Sequence, residues 1–384
     1  MLQKAILSLS FLTTLVLGAI YDNGVVAYER GDYKTAIEWF ERAANQGDVD
    51  AQFNLGVIYD NALGVEQDYK KAFKWFEKAA IQGNVKAQYN LGVMYTNAQG
   101  VEQDYKKSAE WYEKAAIQGD MRAQYNLGAM YVNAQGLERD YKEAIKWYEK
   151  AANQGLVDAQ SSLGFIYKNA LGVEQDYKKA FSWYEKAAIQ GNVKAQYNLG
   201  TMYINAQGVE QDYKKSFEWF ERVANQGDAD AQYLTGLMYY HAEGVEKDYK
   251  KAMEWFEKAA NQGSIKAQHN LGVMYLNAQG VEQDYKKAME WYEKAATQNL
   301  PKAQYNIGLI YKNGWGVEQD YKKAFEWFEK AAIQGEVDAQ ANIGFMYQHA
   351  QGVEQDNKKA MEWYKKACSG GLQWGCDNYI AVDQ

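Results

Sequence analysis

An Asp-Tyr pair returns every 36 residues along most of this chain. The pairs begin at Asp32, Asp68, Asp104, Asp140, Asp176, Asp212, Asp248, Asp284 and Asp320, and Asp356-Asn357 closes the series. A tryptophan keeps the same register from Trp39 to Trp363. A fixed period of this length is typical of stacked helical or helix-containing units, each of which packs mainly on its neighbours.

Each period contains two amphipathic helical patterns, named helix A and helix B. The apolar stripe of helix A in one period consists of Ala51, Leu55, Ile58 and Ala62. The stripe of helix B consists of Tyr69, Ala72, Phe73, Phe76 and Ala80. Both spacings place the apolar residues on one face of a helix. Asp68 is placed to cap the start of helix B, and Gly83 is placed to end it.

A glycine interrupts every helix A, as at Gly56 and Gly128. Because glycine inside a helix costs about 1 kcal/mol relative to alanine, we expect each one to allow close contact with a neighbouring helix. Neither helix can bury its apolar face alone. The sequence therefore predicts an all-α solenoid, a right-handed superhelix of about ten antiparallel αα-hairpins.

The repeated residues resemble those of a known family. They are Ala51, Leu55-Gly56, Tyr59, Gly64-Val65, Asp68, Lys71-Ala72, Trp75, Lys78-Ala79-Ala80 and Gly83. This pattern is similar to the Sel-one-like repeat, a unit related to the tetratricopeptide repeat. The resemblance implies one solenoid over residues 20–384. Its predicted units start near residues 21, 50, 86, 122, 158, 194, 230, 266, 302 and 338, with a short capping helix near 376–381. The opening unit resembles a tetratricopeptide repeat with a shorter first loop.

The N-terminal segment differs from the repeats. Lys4 precedes an uncharged, mostly apolar run from Ala5 to Leu17, which is short for a transmembrane helix. This layout predicts a signal peptide over residues 1–19, cleaved after Ala19, and an exported protein that is periplasmic or secreted. An uncleaved membrane anchor and an apolar helix packed on the solenoid are the alternatives.

Differences among the repeats indicate where a partner could bind. The positions equivalent to Phe53, Val57 and Asp60 vary and share one side of helix A. By resemblance to tetratricopeptide proteins, this side is the concave face that holds an extended peptide or a helix. The predicted protein-binding residues are Tyr89, Tyr125, Lys168, Tyr197, Tyr233, Tyr240, Tyr305, Lys312 and Trp315. The alternative is that the aromatic residues only complete the packing between repeats.

Charge and composition narrow the class of partner. The formal net charge is -8, and lysine is mixed with acidic residues throughout the chain, so we expect no nucleic-acid binding. The negative mean hydropathy excludes a polytopic membrane protein. We expect no membrane span once the signal peptide is removed. The partner is therefore predicted to be a protein or peptide.

The two cysteines, Cys368 and Cys376, lie where antiparallel packing brings the last helix B against the next helix, and an exported chain meets an oxidising environment. We expect them to form a disulfide, the alternative being two buried thiols. One branch of the resembling family has cysteines in nearly every repeat, and penicillin-binding or β-lactamase activity is attributed to it. A weak hydrolase of penicillin-like substrates is therefore the alternative function, and an adaptor in a eukaryotic secretory compartment is a third.

The sequence contains little that supports catalysis. No serine is followed three residues later by lysine, and Lys-Thr-Gly is absent. The three histidines, His241, His269 and His349, have no zinc-site spacing and are interpreted as solvated substitutions. We therefore predict no catalytic residue, no metal and no cofactor, and we favour an exported scaffold for protein-protein interaction.

Overall fold

The computed structural model describes residues 18–383, which form 21 helices and no β-strand. Helix α1 includes residues 18–29. The helices that follow are α2 (Tyr33–Ala44), α3 (Val49–Asp60), α4 (Tyr69–Ile81), α5 (Val85–Asn97), α6 (Tyr105–Ile117), α7 (Met121–Asn133), α8 (Tyr141–Asn153), α9 (Val157–Lys168) and α10 (Tyr177–Ile189). Then come α11 (Val193–Ile204), α12 (Tyr213–Asn225), α13 (Ala229–His241), α14 (Tyr249–Asn261), α15 (Ile265–Leu276), α16 (Tyr285–Thr297), α17 (Pro301–Asn313), α18 (Tyr321–Ile333), α19 (Val337–Gln348), α20 (Asn357–Ser369) and α21 (Gln373–Asp383).

The predicted αα-hairpin repeats are confirmed. Odd-numbered helices are A helices and even-numbered helices are B helices, and the main contacts join helices that are consecutive in the chain. The described residues form two compact units, unit 1 up to Ala195 and unit 2 from Gln196 onward. The predicted signal peptide lies outside the described residues except for Gly18 and Ala19, which belong to α1.

Aspartate starts helix B as the sequence predicts. The Asp68 carboxylate accepts a hydrogen bond from the Lys71 backbone N–H at 2.9 Å, which satisfies one of the free donors in the first turn of α4. This bond keeps the pKa of Asp68 below its ordinary value. The same cap occurs at Asp32 and Asp320, where accepting a hydrogen bond again lowers the pKa of the carboxyl.

The core of each hairpin depends on glycine in helix A, as predicted. A Cβ atom built on Gly56 would lie 2.5 Å from the ring of Phe76, which is 1% exposed. On Gly128 it would lie 2.8 Å from the ring of Tyr148. The aromatic ring of helix B therefore lies directly on the backbone of helix A, and the lost helix propensity is offset by this packing.

Ala62 is not part of the helix A stripe, so that prediction is wrong. Helix α3 ends at Asp60, and Ala62 is exposed with a left-handed φ of 55°. The chain must reverse here to enter the loop before α4, and a left-handed residue commonly ends a helix in this way. Gly314, at the equivalent position of a later repeat, has φ 68°.

A buried glutamine network joins consecutive repeats, and the sequence analysis did not identify it. The Gln52 side chain in α3 donates from Nε2 to the Ala44 carbonyl at the end of α2, at 3.1 Å. Its Oε1 accepts from Nε2 of Gln82, just after α4, at 2.8 Å. One side chain thus connects three helices, and it gives the Ala44 carbonyl a second hydrogen bond beside the one from the Gly47 N–H. We call this arrangement the glutamine joint.

The tryptophans of helix B pack between repeats. Trp111 in α6 packs on an apolar cluster that includes Phe76 of the preceding hairpin and Leu91 of its own hairpin. The Lys114 ammonium lies 3.9 Å from the centre of the Trp111 ring. The lysine stem and charge therefore cover the side of the indole that the neighbouring repeat leaves open.

The expected disulfide is present, and it lies between the last two helices. Cys368 in α20 and Cys376 in α21 are bonded, with their Cα atoms 4.5 Å apart. These positions correspond to Ala44 and Gln52, whose hydrogen bond is one of the two in the glutamine joint of an earlier repeat. The covalent bond therefore replaces that joint at the end of the chain. Helix α21 starts at Gln373, before the predicted cap near 376–381.

Candidate functional site

The candidate binding surface is one side of the A helices. We define the helix-A face as the residues equivalent to Phe53, Asn54, Val57 and Asp60 in each repeat. These four positions are half-buried in α3, whereas Leu55 and the rest of the stripe are buried. The face is therefore accessible in part, and its variable residues lie beside an almost constant core.

The tyrosines of this face each pack with one side on the core. In five repeats a tyrosine at the Phe53-type position contacts the aromatic ring that lies on the helix A glycine. The ring centroids are 5.8 Å apart for Tyr89 and Tyr112, 5.4 Å for Tyr125 and Tyr148, 5.4 Å for Tyr197 and Phe220, 5.7 Å for Tyr233 and Phe256, and 5.6 Å for Tyr305 and Phe328. All five tyrosines remain half-buried. Packing between helices thus uses one part of each ring and leaves another part accessible.

The helix-A faces of consecutive repeats are connected by polar contacts. In unit 1, Asn54 donates to the Tyr21 hydroxyl at 3.2 Å, and the Arg122 guanidinium lies 4.2 Å from the centre of the Tyr89 ring. In unit 2, burial and the nearby Asp338 raise the pKa of Tyr305 to about 12. Cations border the tyrosines in some repeats and carboxylates in others, so the surface has mixed charge.

Tyr240 and Trp315 make contacts that belong to the fold. The Tyr240 hydroxyl donates to Gln279 in the following repeat at 2.9 Å, and its ring lies 5.1 Å from that of Tyr249. Trp315 lies in the loop after α17, where it stacks on Tyr285 of the preceding repeat at 5.9 Å. Both side chains are half-buried. Replacing either with alanine would disturb packing as well as any bound partner.

Two lysines lie on the helix-A face, as the sequence predicts. Lys168 and Lys312 occupy equivalent positions near the ends of α9 and α17, and both are half-buried. Burial lowers the pKa of each ammonium group below its ordinary value. Nζ of Lys312 donates to Oδ1 of Asn342 at 2.8 Å.

Phe165 is a surface aromatic that the sequence analysis placed in a variable column but did not select. It is 53% exposed on α9. The signal was present in the sequence, because Ser161 replaces the usual tyrosine one turn earlier on the same face. Without that ring, the phenylalanine has less to pack against on its N-terminal side. Phe165 is the most exposed large apolar residue on the helix-A face among the described residues.

A pocket opens on the helix-A face of unit 1 where Ala129 replaces a larger residue. It has a volume of about 290 Å³ and lies between α5 and α7, beside Thr96 and Asn126. The ring of Tyr112 also lines it. Burial raises the pKa of this tyrosine to about 12. The pocket offers apolar walls with a few polar groups, as expected for a side-chain binding site.

The histidines do not all match the prediction of solvated substitutions. His241 and His349 are exposed, but His269 is half-buried in α15. Its ring lies 5.6 Å from that of Tyr292, and Nε2 is 3.2 Å from Nδ2 of Asn306. The reason is that the His269 ring packs on helix B as the tyrosine rings do at the same position of other repeats. No group of three His, Cys, Asp or Glu side chains in residues 18–383 is arranged to hold a metal ion.

His269 should make the stability of unit 2 depend on pH. Burial lowers its pKa in the folded chain, so as pH falls the unfolded chain takes up the proton first. Stability is therefore lost as pH falls from the ordinary histidine value, about 6.5, towards the folded pKa. We expect His269→Tyr to restore a few degrees of melting temperature at pH 5.5 and much less at pH 8.

The converse substitution tests the same explanation. Tyr233→His places histidine at the equivalent position of the preceding repeat and should introduce a similar loss at pH 5.5. Thermal unfolding followed by circular dichroism at both pH values measures all three chains. Equal pH dependence in the parent and His269→Tyr would exclude a contribution from His269.

Comparison with known proteins identifies the repeat. The family model described as Sel1 repeat matches residues 15–48, 49–84, 85–120, 122–156, 157–192, 193–228, 229–264, 265–300, 301–336 and 337–372. A comparison with curated proteins gives no match. In addition, none of the helices in residues 18–383 has the length and apolar character needed to cross a membrane.

Two solved structures are similar over most of their length. The first is c5321, a protective antigen present in uropathogenic Escherichia coli strains that displays an SLR fold. It is 34% identical, covers 96% of this chain and 87% of its own, and has a TM-score of 0.72. The second is a Sel1 repeat protein from Oxalobacter formigenes, which is 31% identical with a TM-score of 0.52 and covers 64% of this chain and 96% of its own.

Proposed function

The chain belongs to the Sel1 repeat family, and on that premise we propose that it is an exported scaffold that binds a protein or peptide along the helix-A face. The repeats provide a regular series of A helices whose buried stripe is nearly constant. The residues on the helix-A face differ from repeat to repeat. Such variation on a fixed framework suits recognition of a partner with a non-repetitive sequence.

The exposure of Phe165 is the observation that supports binding most directly. A phenylalanine that is 53% exposed leaves apolar area in water, which binding to a partner would remove. Lys168 lies one turn further along α9, and Ser161 lies one turn before. An aromatic residue between polar groups is typical of the residues that contribute most to protein interfaces.

Two features support export. The apolar run from Ala5 to Leu17 has the composition of a signal peptide, followed by small residues at Gly18 and Ala19. The Cys368–Cys376 disulfide is of the kind that persists in an oxidising compartment. A related protein with an SLR fold is described as a protective antigen, which agrees with presentation outside the cytoplasm.

A photo-crosslinking experiment tests both parts of the proposal. The full chain, with benzoylphenylalanine at Phe165, is expressed in a Gram-negative host and recovered after fractionation. We expect intact mass to show residues 20–384 in the periplasmic fraction, and irradiation to link the chain to a protein partner. A matched chain carries the crosslinker at Ile189, which is 74% exposed at the end of α10 but not on the helix-A face.

The cellular location with the intact mass tests export, and the crosslinking tests binding, so each part of the proposal can be contradicted without the other. Retention of residues 1–19 would contradict cleavage after Ala19, and recovery in the cytoplasm would contradict export. Equal crosslinking at residues 165 and 189, or none at 165, would contradict binding on the helix-A face. A folded chain in both cases is confirmed by an unchanged helical circular dichroism spectrum.

A further inference from the structure

Lys312 holds a positive charge on the helix-A face of unit 2. Its Nζ atom donates to the Asn342 side chain at 2.8 Å and lies 4.9 Å from the centre of the Phe345 ring. Asn342 is only 8% exposed, and its own Nδ2 donates to the Asp338 carbonyl at 2.9 Å. The ammonium group is therefore directed between α17 and α19 rather than into bulk water.

No carboxylate in residues 18–383 forms an ion pair with Lys312. By contrast, Lys323 on the next helix pairs with Asp320 at 3.6 Å while being far more exposed. Removing an ammonium group from water is unfavourable unless a negative charge compensates it. The neutral amide of Asn342 and the face of an aromatic ring compensate only in part.

An aromatic surface adjoins this charge. Trp374 in α21 is 40% exposed, and its ring lies 6.2 Å from that of Phe345. The ring of His349 also lies beside Phe345, with the two ring centroids 4.2 Å apart. We call Lys312, Asn342, Phe345 and Trp374 the Lys312 cluster. It places a cation that is only partly compensated next to accessible aromatic area.

We propose that the Lys312 cluster binds an Asp or Glu side chain of a partner segment, together with an apolar side chain next to it in that segment. The inference depends on the proposed binding to the helix-A face and names the chemistry of the partner. The carboxylate would approach Nζ of Lys312, and the apolar side chain would cover Phe345 and Trp374. The helix-A face extends to α15 on one side of Lys312 and to α19 on the other, so an internal acidic residue fits better than a chain end.

Selection from a peptide library tests this assignment. Twelve-residue peptides fused through their C-termini to a phage coat protein are selected on the intact chain, and the enriched sequences are synthesised with an amidated terminus. We expect enrichment of Asp or Glu beside Phe, Trp, Leu or Ile. Fluorescence polarisation then measures the affinity of each peptide for the parent and for two variants.

The variants separate the Lys312 charge from general electrostatic attraction. Lys312→Met keeps the length of the side chain and should weaken binding roughly tenfold or more. Lys302→Met removes an exposed charge from the same helix and should have little effect, because exposed charges contribute little. Replacing the selected Asp or Glu with its amide should weaken binding to the parent and cause no further loss with Lys312→Met.

Three results would overturn the assignment. Enrichment of acidic peptides that bind Lys312→Met as well as the parent would leave the proposed function standing and would show that this site is wrong. Selected peptides that keep their affinity when the Asp or Glu becomes its amide, and gain affinity when resynthesised with a free C-terminal carboxylate, would show that the site binds a chain end instead. Failure to enrich any peptide on the parent chain would count against this site and the proposed function together.

Discussion

Gly128→Leu is expected to lower the unfolding free energy of unit 1 by at least about 3 kcal/mol, at or above the upper end of the usual range for overpacking. A Cβ at residue 128 would lie 2.8 Å from the Tyr148 ring and 3.2 Å from the Ala144 carbonyl oxygen. The ring is 4% exposed and the carbonyl belongs to a helix, so neither can move aside freely. Thermal unfolding should show a fall of roughly 6 to 12 °C.

A double-mutant cycle identifies the ring as the cause. Tyr148→Ala removes the ring, so adding Gly128→Leu to that variant should cost much less than adding it to the parent. Independent, additive losses would show that the leucine acts through something other than contact with Tyr148. An unchanged melting temperature for Gly128→Leu alone would remove the packing explanation of the repeated glycine.

Replacing both cysteines with alanine is expected to destabilise α21 by about 2 to 3 kcal/mol. The disulfide lowers the conformational entropy of the unfolded chain, and the closed loop is short, so the effect is moderate. Cys368 and Cys376 are eight residues apart, and their bond joins the end of α20 to the first turn of α21. Hydrogen exchange measured by mass spectrometry should therefore accelerate in residues 373–383. Exchange in α2 to α10 should stay unchanged.

The repeats supply a matched control for the disulfide. Cys368→Ala with Cys376→Gln restores the residue types of the glutamine joint and should recover part of the lost protection. Maleimide labelling of the unreduced parent gives an independent measurement. Two reactive thiols in the parent, or unchanged exchange in the alanine variant, would contradict a stabilising disulfide.

The fold was largely predictable because the period repeats a local pattern many times. The stripe of helix B and the cap at Asp68 follow from spacing alone. The end of helix A did not follow from the spacing, because Ala62 is apolar and falls on the same helical stripe as Leu55. Whether a residue continues a helix or takes a left-handed φ depends on the packing of the loop that follows.

The glutamine joint was not predictable from periodicity. Gln52 lies among apolar residues, and a buried glutamine has no characteristic spacing. Its partners, the Ala44 carbonyl and the Gln82 side chain, come together only when three helices have packed. The role of Cys376 was predictable, because it takes the place equivalent to Gln52 opposite Cys368, and the predicted disulfide is present.

The position of the helix-A face was predictable from the sequence, whereas binding by its residues stays a prediction. Comparing repeats correctly placed Lys312 and Tyr89 on one side of helix A. It also selected Tyr240 and Trp315, whose contacts are with Tyr249 and Tyr285 in the fold. A deviation from the repeat can serve either packing or binding, and only the three-dimensional neighbours distinguish the two.

Successive glutamine joints use the same hydrogen bond, from a glutamine Nε2 to an alanine carbonyl oxygen. This regularity affects how such a chain can gain or lose repeats. Deleting or duplicating one 36-residue cassette within a unit would bring Gln52-type and Ala44-type residues together again at the new junction. The copy number of the repeat can therefore change by recombination without a newly designed contact. The cysteine pair cannot be moved inward so simply, because it occupies the joint that an added cassette would need.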